Sequence, residues 1–97
     1  MAQLDLYLFG ATRFVLDGQA LHINRRKSAA MLVYLAVTGQ PHARDTLGLI
    51  FWPESANSRN QVRVALSTLR AALGPGWISE QSNLVQIAPQ DQLWVDV

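Results

Sequence analysis

Between Asn57 and Gly74 the chain reads NSRNQVRVALSTLRAALG, and its charged groups are all of one sign: Arg59, Arg63 and Arg70, with no carboxylate among them. Val62, Leu66, Leu69 and Leu73 recur at the helical period. At about 100° per residue, those four and Ala65 form one stripe. The three arginines form a second stripe, with Asn60, Val64, Ser67 and Ala71 next to it. A guanidinium fits phosphate oxygens or the edge of guanine, an amide fits adenine, and small side chains permit close approach. That is chemistry for lying on nucleic acid. A solvated basic helix has the same pattern, so the surrounding chain has to decide.

The net charge of +1 conceals a segregation. From Arg25 to Arg70 there are seven basic residues and two acids, Asp45 and Glu54. The rest of the chain carries one basic residue, Arg13, and five acids. A basic middle between acidic ends points to a surface that faces a polyanion, although so few charges can also segregate by chance. Arg25, Arg26 and Lys27 form a second basic group, suited to phosphate contacts or to a solvated turn.

Catalytic chemistry is poorly represented. His22 and His42 have no metal-ligand spacing, and the chain has no cysteine. No serine lies in a nucleophile-elbow sequence, and Gly74-Pro75-Gly76 is a helix stop without the lysine of a phosphate loop. We expect neither an enzyme nor a cofactor or metal. Trp52, Trp77 and Trp94 are expected to be structural rather than base-stacking.

Ninety-seven residues, 49% of them apolar and 15% charged, suit one folded domain. Without a long apolar run or a secretory leader, a cytoplasmic location is expected. Residues 3–23 read as three short antiparallel strands, broken at Gly10 and turned at Asp17-Gly18. Three helices follow. The first spans about Lys27 to Val37, is apolar on most sides and stops at Gly39. The second spans Arg44 to Trp52, has Leu47, Ile50 and Phe51 on one face and is ended by Pro53. The third is the basic helix, with Ser55 or Asn57 as its cap. Trp77 to Ser79 and Leu84 to Ala88 make a hairpin with Glu80-Gln81-Ser82-Asn83 between them, and Pro89 to Gln92 is a turn. The closing Leu93-Trp94-Val95-Asp96-Val97 is apolar and stops abruptly, as expected if the chain is cut from something longer. A helix, a turn and a longer basic helix make a helix-turn-helix plan, and the hairpin would be its wing.

At this point the sequence resembles the N-terminal domain of SARP-type and BTAD-linked bacterial transcriptional regulators. The matching phrases are Leu8-Phe9-Gly10, Asp17-Gly18, Arg26-Lys27-Ser28 through Leu35-Ala36, Arg44-Asp45-Thr46-Leu47, Phe51-Trp52-Pro53-Glu54-Ser55, Arg59-Asn60 and Leu66-Ser67-Thr68-Leu69-Arg70 through Gly74. The resemblance implies an α+β, OmpR-like winged helix over residues 1–97. Its parts would be a three-stranded antiparallel platform (3–23), a three-helix core (27–74) and a hairpin wing (77–88). It also implies binding to promoter DNA, contacts with RNA polymerase and a following helical-repeat activation domain. A dimer on DNA is compatible with it. The family's groove-reading helix falls on about Ala56 to Leu73, with Arg59, Asn60, Arg63, Val64 and Ser67 toward DNA. Arg70, near the helix end, serves either DNA or an internal ion pair.

The wing departs from the family pattern. It has Glu80 and no basic residue, and phosphate would repel a carboxylate there. In this it looks more like members in which the domain heads a large signal-transduction ATPase. Two functions follow as expectations: a sequence-specific DNA-binding module, or a winged helix that docks on its own ATPase or repeat domains, or on RNA polymerase, without binding DNA.

Overall fold

A computed structural model describes residues 3–8, 12–23, 25–74, 76–87 and 93–96. Gly10, Asn24, Pro75, Ala88, the expected turn at 89–92 and Val97 lie outside the described residues.

The N-terminal segment alternates apolar and polar residues, so one side of each strand can face a core while the other stays out. Strands β1 (Leu4–Tyr7), β2 (Arg13–Leu16) and β3 (Gln19–Leu21) form the expected antiparallel meander, with Leu4 opposite Leu16 and Phe14 opposite Leu21. Leu4, Leu6 and Phe14 are buried. Asp17 and Gly18 both have positive φ, at 52° and 82°, as a two-residue hairpin turn matched to strand twist requires.

Helix α1 (Arg26–Thr38) follows, then a two-residue strand β4 (His42–Ala43), helix α2 (Arg44–Phe51), helix α3 (Ser58–Leu73) and the wing strands β5 (Ile78–Gln81) and β6 (Leu84–Ile87). Strand β4 pairs with β6, which makes the wing a three-stranded sheet. The last strand, β7 (Leu93–Asp96), returns to the platform and lies parallel to β1, with Leu4 opposite Leu93. The meander therefore becomes a four-stranded mixed sheet in the order β3-β2-β1-β7. Leu93 and Val95 pack against the core, while Trp94 points outward against Tyr7.

The core lies where the three helices meet both sheets. Met31, Leu32, Leu35, Leu47, Val62, Leu66 and Leu69 are fully buried, as is Val85 of the wing. Each such side chain contributes about 1.5–3 kcal/mol by leaving water. Trp77 is buried as well, directly before β5.

Two local expectations are corrected. Ile50 does not share the buried face of α2 and is 44% exposed. The packing face is Leu47, Gly48 and Phe51, because α2 meets α3 through its glycine. Asn57, one of the two expected caps, takes the N-cap position of α3 but makes no side-chain cap bond. Ser55 Oγ instead accepts the Asn57 N–H at 3.1 Å and shapes the preceding turn.

Gly48 holds that crossing close. A Cβ there would meet Ser58 Cβ and Oγ, both at 3.0 Å, in the first turn of α3. Valine at this position brings two further methyl groups into the contact. Gly48→Val is expected to cost about 1–3 kcal/mol through overpacking, read as a lower denaturation midpoint. An unchanged midpoint would mean that the two helices separate freely.

Candidate nucleic-acid interface

Helix α3 forms because its apolar residues fall on one stripe, and the fold buries that stripe completely. Val62, Ala65, Leu66, Leu69 and Leu73 all face the core. The opposite side is then fixed by geometry: Arg59, Arg63 and Ser67 are exposed, and Asn60 and Val64 are half-buried beside them. The structure brings these five expected residues onto one surface.

Two of them are already engaged with each other. Arg63 donates from Nη2 and Nε to Asn60 Oδ1, at 2.8 and 3.3 Å. The two guanidinium donors take both lone pairs of that carbonyl oxygen, and the NH2 of Asn60 is left to donate to a base edge. The Arg63–Asn60 pair thus presents a guanidinium and an amide in fixed relation. Arg59 lies near Asp45 of α2, with Nε 3.3 Å from Oδ1. Both side chains are about two-thirds exposed, so this ion pair holds Arg59 only weakly.

Arg70 forms an internal ion pair, one of its two expected roles. Its Nη2 donates to Glu80 Oε1 at 2.6 Å, while Arg44 Nε donates to Glu80 Oε2, also at 2.6 Å. One wing carboxylate therefore braces the start of α2 and the end of α3. This corrects the expectation of Glu80 as a repelling group at the wing tip. The turn is Ser82-Asn83, both with positive φ, and Glu80 sits on β5 facing inward. Arg44 was not among the expected site residues. Its partner is 36 positions away, and no local pattern reveals such a contact.

Burial pulls the Glu80 carboxyl upward, but hydrogen bonds and charge from Arg70 and Arg44 outweigh it and hold the group below its ordinary 4.5. A depressed carboxylate adds stability above its unfolded pKa and loses it as pH falls through the folded value. The brace therefore contributes in full at neutral pH, and its contribution declines as pH falls below 4.5 toward the lower folded value. The denaturation midpoint is expected to drop more steeply below that pH in the wild type than in Glu80→Gln. Parallel curves would show that the brace adds no stability.

The second basic group sits at the start of α1. Arg25, Arg26 and Lys27 are exposed, and Lys27 Nζ lies 5.7 Å from the ring centroid of Trp52. Trp52 is half-buried and packs edge-on against Phe51. His42 is also structural: Thr38 Oγ1 lies 2.8 Å from its Nε2, and Tyr34 stacks on its ring at 4.8 Å. Among the described residues no cluster of three His, Cys, Asp or Glu is placed to hold a metal, and no helix is long and apolar enough to cross a membrane.

No protein-family model matches the sequence, and no curated protein matches it. Among solved structures, the fold matches Mycobacterium tuberculosis EmbR, determined in complex with a low-affinity phosphopeptide. The TM-score is 0.74 at 20% sequence identity. The match covers 96% of this chain and 27% of EmbR, so the chain spans about a quarter of that protein's length. The order of sheet, three helices and wing, together with this match, makes the chain an α+β winged helix of the kind found in EmbR.

Proposed function

We propose that this winged helix is a sequence-specific DNA-binding module of a bacterial transcriptional regulator and that α3 enters the major groove. One observation carries the reading. The entire apolar stripe of α3 is sealed in the core, so its outward face is Arg59, Asn60, Arg63 and Ser67, with no carboxylate on the helix. Arg63 and Asn60 supply the base-edge chemistry, Arg59 a phosphate contact, and Val64 and Ser67 the room for close approach. Arg25, Arg26 and Lys27 add phosphate contacts. The partners are double-stranded DNA, the further domains of a longer chain and, through them or directly, RNA polymerase. The module itself is not an enzyme, and it acts in the cytoplasm.

The test is a fluorescence-anisotropy titration of the chain against a labelled random duplex pool at about 50 and 200 mM salt, a range over which counterion release changes affinity strongly. Binding that weakens steeply with salt supports the reading. Absence of binding at the lower salt overturns it in favour of a docking module.

A further inference from the structure

The three exposed arginines of α3 differ in what holds them. Arg59 pairs with the Asp45 carboxylate and Arg70 with that of Glu80. Arg63 has a neutral partner, Asn60, one turn earlier on the same helix, and bonds to no other described residue. Asn60 is half-buried and Arg63 exposed, so the amide is the support and the guanidinium the group presented. Both lie in the first two turns of α3, the part of a recognition helix that reaches base edges.

The form of the contact decides what the pair can offer. Nε and Nη2 lie on one side of the guanidinium, and both donate to Asn60 Oδ1, at 3.3 and 2.8 Å. The fork is rigid and planar, so the N–H groups left over are those of Nη1 and the second one of Nη2. Nη1 and Nη2 together carry the parallel pair of donors that bonds two neighbouring acceptors. Asn60 is constrained in turn. Its oxygen is filled, and turning its NH2 to the guanidinium would set donor against donor. Every hydrogen-bonding group the pair leaves unbonded is therefore a donor. Adenine sets the N7 acceptor beside the N6 donor, so an asparagine reads it only with its oxygen available, and cytosine presents a donor. Guanine presents two acceptors, O6 and N7.

We propose that the Arg63–Asn60 pair reads guanine. Arg63 Nη1 and Nη2 donate to O6 and N7, and Asn60 is a positioning residue that orients the guanidinium and does not read adenine. This rests on the DNA-binding reading and names the base that reading leaves open.

The test is selection from a randomised duplex pool at about 50 mM salt, with the bound fraction sequenced, for the wild type, Arg63→Ala and Asn60→Ala. The wild type is expected to enrich guanine at one position by about tenfold or more. Replacing that base by 7-deazaguanine, which lacks the N7 acceptor, should weaken wild-type binding about tenfold and leave the affinity of Arg63→Ala unchanged. Arg63→Ala releases the Asn60 oxygen, so the guanine preference should vanish and adenine should rise at that position or beside it. Asn60→Ala should lower the guanine preference and keep the salt slope, because the charge of Arg63 remains. Guanine enrichment that survives Arg63→Ala overturns the proposal, as does adenine enriched by the wild type and lost in Asn60→Ala. Salt-sensitive binding with no base preference also overturns it, and leaves α3 on phosphate alone. In these three cases DNA binding itself stands. If the wild type binds no duplex, both readings fall.

Discussion

A chain carrying Arg59→Ala and Arg63→Ala together is expected to lose DNA affinity by on the order of 100-fold, with the salt slope falling by about two units. Both side chains are exposed, so folding stability should stay within about 0.5 kcal/mol of the wild type. The two losses differ in kind. Removing Arg59 deletes a positive charge and also uncovers Asp45, whose carboxylate lies 3.3 Å from it and is mostly exposed. Asp45→Asn should therefore strengthen binding where Arg59→Ala weakens it. Removing Arg63 breaks a hydrogen-bonded unit, because its guanidinium bonds to Asn60 Oδ1. Arg63→Ala and Asn60→Ala are then non-additive, and their double-mutant cycle should show a coupling of about 0.5–3 kcal/mol in binding. A base contact by Arg63 would relax specificity at one position, whereas a phosphate contact would weaken all sequences alike. If the double variant binds every duplex as the wild type does, α3 is not the DNA surface.

The faces of α3 were legible because burial follows a short period: Val62, Leu66, Leu69 and Leu73 declare the inner stripe, and the arginines fall opposite by geometry. The same logic failed on α2. An eight-residue helix has barely two turns, and its apolar residues do not tell which side its glycine will press against α3. Ile50 was misplaced for that reason. Strand β7 was beyond local reading in a different way. Leu93 and Val95 alternate with Trp94 as any strand might, but the partner is β1, at the other end of the sequence, in parallel register. The Glu80 brace was hidden for the same physical cause, since its two arginines come from two separate helices. Arg70 was legible only as a choice between DNA and an ion pair, and the partner it pairs with is on the wing.

Glu80→Gln provides the sharpest separation of structural and binding roles, because its two effects are expected to have opposite signs. Glutamine keeps the shape of the side chain but loses the charge that Arg44 and Arg70 share. Arg44 and Glu80 are about three-quarters buried, whereas Arg70 is 42% exposed, so solvent screens one arm of the brace. A destabilisation of about 1–2 kcal/mol follows, below what a sealed ion pair would give. Affinity for duplex should rise several-fold at low salt, with a steeper salt slope, because two guanidiniums beside α3 are no longer neutralised. A partly unfolded population cannot produce this combination, since unfolding lowers affinity and stability together. If both fall in parallel, the carboxylate acts on DNA binding through geometry, holding the wing and the end of α3 in place. If stability falls while affinity and salt slope are unchanged, Arg44 and Arg70 lie outside the reach of DNA, and the interface contracts to the first three turns of α3. Arg70→Ala distinguishes these cases again: a purely bracing role lowers stability and leaves the salt slope intact, whereas a contact with phosphate lowers the slope by about one unit.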